Sequence, residues 1–156
     1  MPRRRPNQSL ADAKNYALRL LKIRLRSEKE ITDRLKQRRF AENATAQAVA
    51  ILKAAGLIND REFTRNWIQW RLSKPLGQRR IRLELLQKGV ASQLIDQELV
   101  AVCESRAEDE IVRDLAYQRA QKYHGISQDK IRHRVYGYLI RRGFDPSIVR
   151  KTVQIL

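Results

Sequence analysis

Cysteine, proline, glycine and aromatic residues are all scarce in this chain of 156 residues. The one cysteine, Cys103, excludes an intramolecular disulfide framework and a cysteine-rich metal site, which fits a reducing cytoplasm. We expect its thiol to be a small buried hydrophobic group, the usual role of a free cysteine. Only four prolines and six glycines are present, and so few helix-breaking residues favour long helices over many short strands.

Long apolar runs and catalytic signatures are also absent. No stretch approaches the roughly 18 apolar residues of a membrane helix, and no signal-peptide core follows the basic start of the chain. We therefore expect a cytoplasmic protein without a membrane partner. The two histidines, His124 and His133, have no Cys, Asp or Glu at metal-ligand spacing. Nucleophile motifs, a P-loop and a dinucleotide-binding loop are missing, which predicts no enzymatic activity, no metal and no cofactor.

Positive charge is the dominant feature of what is present. The chain has 33 Lys and Arg against 17 Asp and Glu, a net charge of +16. This excess predicts attraction to a polyanion, which could be nucleic acid, an acidic protein groove or a protein coating DNA. Residues 1–8, with Arg3, Arg4 and Arg5, are typical of a disordered basic arm that can add phosphate contacts.

The apolar periodicity predicts nine helices and no strand, an all-α protein. Helix starts are indicated by a capping box at Ser27 to Glu30, by Ser127 as a cap, and by Asp145 followed by Pro146. Predicted spans include about 10–24, 42–55, 91–104 and 105–123, and glycines stand where several helices should end.

An internal repeat organises these helices. Residues 31–40, 81–90 and 135–144 align without gaps. The shared positions are a leucine, a cation, a turn residue and an apolar residue, namely Leu35/Leu85/Leu139, Arg38/Lys88/Arg142, Arg39/Gly89/Gly143 and Phe40/Val90/Phe144. A cation favours a helix C-terminus, glycine takes the left-handed turn, and the apolar residue packs beneath it. We predict three tandem three-helix units at 9–58, 59–104 and 105–156 that share faces, with Arg39 as the exception to the glycine pattern.

The repeat also groups the cations at equivalent places in its three copies. These candidate partner- or DNA-binding residues are Arg34, Lys36, Arg38, Arg39, Arg79, Arg80, Arg82, Lys88, Arg132, Arg134, Arg141 and Arg142. They form either one basic track or three ordinary solvated faces, and we favour the track because an excess of +16 must be displayed somewhere. Trp67 and Trp70, three residues apart, predict either packing between units or a stacking platform for bases.

Several segments together resemble the RecX family. They are Ser27-Glu28-Lys29-Glu30-Ile31 with Leu35, Gly56 to Phe63 (GLINDREF), Gly77 with Arg80-Ile81, Leu85 to Val90 (LLQKGV), and Arg141-Arg142-Gly143-Phe144. The resemblance covers roughly residues 13–156. Asn59 stands where an acidic residue is more usual, and asparagine caps a helix equally well.

The resemblance implies three tandem three-helix units of elongated or curved shape, and a regulator of the RecA recombinase. Family members bind along the groove of the RecA filament on single-stranded DNA. They lower its ATPase, strand-exchange and co-protease activities, and so modulate recombination and DNA repair. Nothing in the sequence demands a dimer, so we expect a monomer.

An alternative is direct, sequence-independent binding of single- or double-stranded DNA by a helix-turn-helix-like unit. The predicted third helices, at 42–55 and 93–104, carry few cations and few base-reading side chains, which argues against major-groove readout.

Overall fold

A computed structural model describes residues 9–103, without the side chain of Cys103, and residues 108–156. The described residues form nine helices and no strand, which confirms the predicted all-α class. The helices are α1 (Leu10–Ile23), α2 (Glu28–Gln37), α3 (Glu42–Ala54), α4 (Asp60–Leu72), α5 (Gln78–Gln87), α6 (Ser92–Cys103), α7 (Glu108–Ala120), α8 (Gln128–Arg141) and α9 (Pro146–Gln154). The predictions for the basic arm, 1–8, and for the Cys103 thiol lie outside the described residues.

None of the described helices combines the length and the apolar character required to cross a membrane.

The helix starts follow the local sequence. The Ser27 hydroxyl accepts the N–H of Glu30 at 3.1 Å, and the Glu30 carboxylate accepts the N–H of Ser27 at 3.3 Å, so the predicted capping box is confirmed. Asp145 caps α9 through the N–H of Ser147. Ser127 stands at the start of α8, as predicted, but its hydroxyl makes no capping hydrogen bond. The expectation that this side chain caps the helix was therefore wrong.

The turn after the middle helix has the same backbone in all three repeats. Gly89 and Gly143 adopt φ values of 78° and 84°, and Arg39, at the equivalent position, adopts 61°. In each case this residue's N–H donates to the carbonyl three residues earlier, at 2.8 to 2.9 Å. The position where the sequence repeat is weakest therefore keeps the repeat's conformation, at the steric cost of a left-handed non-glycine residue.

The chain divides into two compact units. The first comprises the described residues up to Thr64 together with Leu86–Leu94, and the second comprises Arg65–Leu85 with the described residues from Ile95 onward. In the first, α1 packs on α2 and α3 around a core that includes Leu35. In the second, α7 packs on α8 and α9 around a core that includes Leu139. The leucines aligned by the sequence repeat are thus fully buried.

Candidate functional site

The turn after α5 packs against the start of α2 within the first unit. The Ser27 hydroxyl donates to the main-chain carbonyl of Lys88 at 2.6 Å. The Lys88 ammonium lies 2.8 Å from the carboxylate of Glu30. A Cβ added at Gly89 would collide with side-chain atoms of Lys29. We call this set of contacts the first junction, and it joins the first and second repeats through helix caps.

A second junction has the same construction within the second unit. The N–H of Gly77 donates to the carbonyl of Arg142 at 2.9 Å, and the N–H of Arg79 donates to the carbonyl of Gly143 at 3.2 Å. A Cβ at Gly143 would collide with the backbone of Arg80, and a Cβ at Gly77 would collide with the carbonyl of Gly143. The start of α5 therefore lies directly against the turn that follows α8.

The two junctions use positions that the sequence repeat aligns. Ser27 and Gly77 are one equivalent pair, and Lys88 and Arg142 are the other. The start of a middle helix donates hydrogen bonds to carbonyls at the end of the next middle helix, because unpaired donors and unpaired acceptors occur at these two ends. Sequence reasoning missed the junctions, although the shared spacing of these four positions was the signal that could have found them.

The junctions give two carboxyl groups opposite pKa shifts. Burial alone would raise the pKa of Glu30, but hydrogen bonds and charge from Arg24 and Lys88 lower it from 4.5 to about 2. Beside the second junction, the carboxyl group of Glu108, at the start of α7, accepts backbone hydrogen bonds from Gln78 and Asp145. Burial and then the neighbouring charge of Asp145 raise its pKa. The first junction is therefore held by a charged pair, whereas the carboxyl group beside the second junction lies where its charge is disfavoured.

The predicted cations of the second repeat are engaged with carboxylates. Arg79 pairs with Asp145 at 3.0 Å, Arg80 with Glu84 at 3.3 Å, Arg82 with Asp96 at 2.7 Å and Lys88 with Glu30 at 2.8 Å. These four cations are thus compensated by neighbouring acids, and Lys88 belongs to the first junction.

The predicted cations of the first repeat are exposed. Arg34, Lys36, Arg38 and Arg39 form no ion pair with a described residue. Arg38 lies over the ring of Tyr16, with 5.2 Å from guanidinium carbon to ring centroid. Lys36 borders a groove of 520 Å³ between α2 and α3 that also contains acidic side chains. This repeat therefore displays four positive charges to solvent.

Two of the four predicted cations of the third repeat lie over aromatic rings. Arg134 lies over Tyr123, and Arg142 lies over Tyr138 while donating to the carbonyl of Pro75 at 2.8 Å. The remaining two are Arg132, which is 3.8 Å from the exposed Asp129, and Arg141, which is exposed and forms no ion pair with a described residue. The three repeats are similar in sequence but differ in how far carboxylates neutralise their cations. That the cations form a single basic track stays a prediction.

The two tryptophans have different environments. Their ring centroids lie 5.1 Å apart at an interplanar angle of 67°. The indole N–H of Trp67 donates to Glu84, which also binds Arg71 through two hydrogen bonds of 2.6 and 2.8 Å. Trp70 is 51% exposed, under the guanidinium of Arg71. Trp67 therefore ties α4 to α5, whereas about half of Trp70 is open to solvent.

The chain matches three family models in order along its length. They describe the first, second and third three-helix domains of RecX, and they match residues 13–52, 59–99 and 107–153.

The chain is also similar to curated relatives over most of its length. It is 35% identical to the regulatory protein RecX of Chlorobium phaeobacteroides, over 89% of each chain. It is 31% identical to the regulatory protein RecX of Mycolicibacterium smegmatis, over 99% of this chain and 82% of the relative.

The fold agrees with a solved structure. The crystal structure of RecX from Lactobacillus salivarius superposes with a TM-score of 0.82 at 24% identity, over 94% of this chain and 96% of that one. The three domain matches and the similarity to whole relatives show that the chain belongs to the RecX family of regulatory proteins.

Proposed function

We propose that this chain binds the RecA filament on single-stranded DNA and inhibits the recombinase, ATPase and co-protease activities of RecA. It would thereby modulate recombination and DNA repair in the cytoplasm, acting as a monomer. The observation that carries the proposal is the match of all three RecX domains in their order along one chain.

The charge distribution supports a binding mechanism. The first repeat presents Arg34, Lys36, Arg38 and Arg39 without acidic partners among the described residues. A groove bordered by acidic protein side chains and DNA phosphates complements such a surface, and that complementarity accelerates association and selects the partner. Inhibition then needs no chemistry from this chain, since occupying the groove is enough to hinder the filament.

The first test is RecA-dependent ATP hydrolysis on single-stranded DNA. The protein is titrated at substoichiometric amounts in near-physiological salt. We expect inhibition well below one protein per RecA, unchanged when extra DNA is added. Inhibition that competitor DNA relieves would instead indicate that the protein only sequesters DNA.

We choose the variants for this assay by whether the cation already pairs with a carboxylate. Sequence alone points to Arg79 and Arg82, but both already pair with carboxylates. Arg34→Gln with Lys36→Gln removes two uncompensated charges, and we expect roughly five-fold more protein to be needed for half-inhibition. The matched control is Arg80→Gln with Arg82→Gln, which removes two paired charges and should change inhibition less. An equal loss in both double variants would reject the role given to the first repeat.

A further inference from the structure

Arginine and tyrosine side chains alternate along α7, α8 and the turns that follow these two helices. The guanidinium of Arg119 lies 4.8 Å from the ring centroid of Tyr138 and 5.4 Å from that of Tyr123. Arg142 lies 4.7 Å from Tyr138, and Arg134 lies 5.3 Å from Tyr123. The order is Arg134, Tyr123, Arg119, Tyr138, Arg142, and we call these five residues the arginine–tyrosine ladder.

Helix geometry builds the ladder from two rows. Arg134, Tyr138 and Arg142 follow one another at intervals of four residues, so they lie on one face of α8 and the turn after it. Arg119, near the end of α7, and Tyr123, three residues after that helix, have the same spacing. Because α7 packs against α8, the two rows interleave, and each ring meets two guanidinium groups.

No carboxylate of the described residues pairs with the three arginines of the ladder. The Nε of Arg119 is buried without a hydrogen-bond partner, and Arg142 donates to a neutral carbonyl. Arg71 is a useful contrast, because it lies over two indole rings in similar geometry but is neutralised by Glu84. Arg134 is exposed, and Arg119 and Arg142 are only partly buried. The three uncompensated cations are therefore accessible to an anion.

We propose that the arginine–tyrosine ladder is a binding site for single-stranded DNA. Guanidinium groups match the geometry of phosphate oxygens and can themselves stack on bases. The partly exposed tyrosine rings beside them can add contacts to unpaired bases of any sequence. Alternating cations and rings suit a polymer in which phosphates alternate with bases. An acidic peptide would use the cations alone, and a duplex hides the faces of its bases.

This inference goes beyond inhibition of RecA, because the contact requires no RecA. It is therefore tested without RecA, by fluorescence anisotropy with a labelled oligothymidylate, and a failure here leaves the ATPase test unaffected. Arg134→Gln should lower the slope of log affinity against log salt by about 0.7, the loss of one phosphate contact. The matched control, Arg150→Gln, removes an exposed arginine of α9 in the same unit and should leave that slope nearly unchanged.

The aromatic contribution is tested in the same way. Tyr123→Leu should weaken binding of oligothymidylate roughly five-fold or more. Tyr117→Leu should not, because this 44% exposed tyrosine of α7 has no cation of the described residues over its ring. On an abasic oligonucleotide of equal length the loss should largely disappear, since there are no bases to stack. Tyr123→Phe should retain binding, which separates the ring's role from a folding defect, and circular dichroism checks each variant.

Three results would overturn the inference. The first is equal weakening by the ladder variants and their controls. The second is a Tyr123→Leu loss of the same size on the abasic strand. The third is displacement of the oligothymidylate by polyglutamate as readily as by unlabelled DNA, which would identify the ladder as a site for an acidic protein.

Discussion

The hydroxyl of Ser27 donates to the main-chain carbonyl of Lys88 at 2.6 Å, although 61 positions separate the two residues along the chain. The same oxygen accepts the N–H that caps α2. One buried side chain therefore completes a helix start and satisfies a helix end in the next repeat.

Replacing Ser27 with alanine should remove both interactions. We expect Ser27→Ala to lower the free energy of unfolding by about 2 kcal/mol, more than an ordinary N-cap loss, because the Lys88 carbonyl also loses its donor. Urea denaturation measures the change. The control is Ser73→Ala, where an exposed hydroxyl donates only to the nearby carbonyl of Trp70, and a shift within about 0.5 kcal/mol is expected. Equal effects at the two positions would contradict the junction's importance.

The left-handed glycines should differ sharply in their tolerance of alanine. Gly56 and Gly143 both have positive φ, but a Cβ at Gly56 meets open space, whereas one at Gly143 collides with the backbone of Arg80. Gly56→Ala should cost about 1 kcal/mol from backbone conformation alone. Gly143→Ala should cost about 2 kcal/mol more, because the second junction must also open. Thermal unfolding of both variants checks this, and similar melting temperatures would show that the close contact is easily relieved.

The turn at Arg39 offers a stabilising substitution. Arg39 has a φ of 61° where the other two repeats have glycine. Arg39→Gly should raise the free energy of unfolding by about 1 kcal/mol, since glycine adopts this conformation without a Cβ clash. Arg38→Gly is the control, because Arg38 has φ −81° and gains nothing from glycine there. A lower urea midpoint for Arg39→Gly would refute the steric argument.

The first junction should make stability depend on pH. The pKa of Glu30 is about 2 in the folded chain, against 4.5 for the ordinary side chain. Because the folded-state pKa is the lower one, the ion pairs with Arg24 and Lys88 stabilise fully above pH 4.5 and weaken as pH falls towards 2. The contribution is up to about 3 kcal/mol, from 1.36 kcal/mol per pKa unit.

Glu30→Gln should therefore flatten the loss of stability between about pH 5 and pH 2. Urea denaturation at a series of pH values measures this for the parent and the variant. Glu42→Gln is the matched control, because Glu42 is exposed and forms no ion pair with a described residue. If the free energy of unfolding falls as steeply with decreasing pH in Glu30→Gln as in the parent, other carboxylates govern acid unfolding.

Local features of the chain were predictable from sequence because they depend on neighbours within a turn or two. The helix limits, the capping box at Ser27, the cap at Asp145 and the buried leucines follow from side-chain spacing and from hydrogen bonds that span three or four residues. The family was also readable, since its motifs keep their order along the chain.

The sequence by itself determined the helices of the described residues, their repeat and the excess of cations. Only the tertiary structure decided which cations are compensated. Arg79 meets Asp145 across 66 positions, and Lys88 meets Glu30 across 58. Arg119 instead stacks on Tyr138 and forms no ion pair with a described carboxylate. Coulomb and cation–π energies depend on distances of a few ångströms between residues far apart in sequence, and helical periodicity constrains those distances only within one helix.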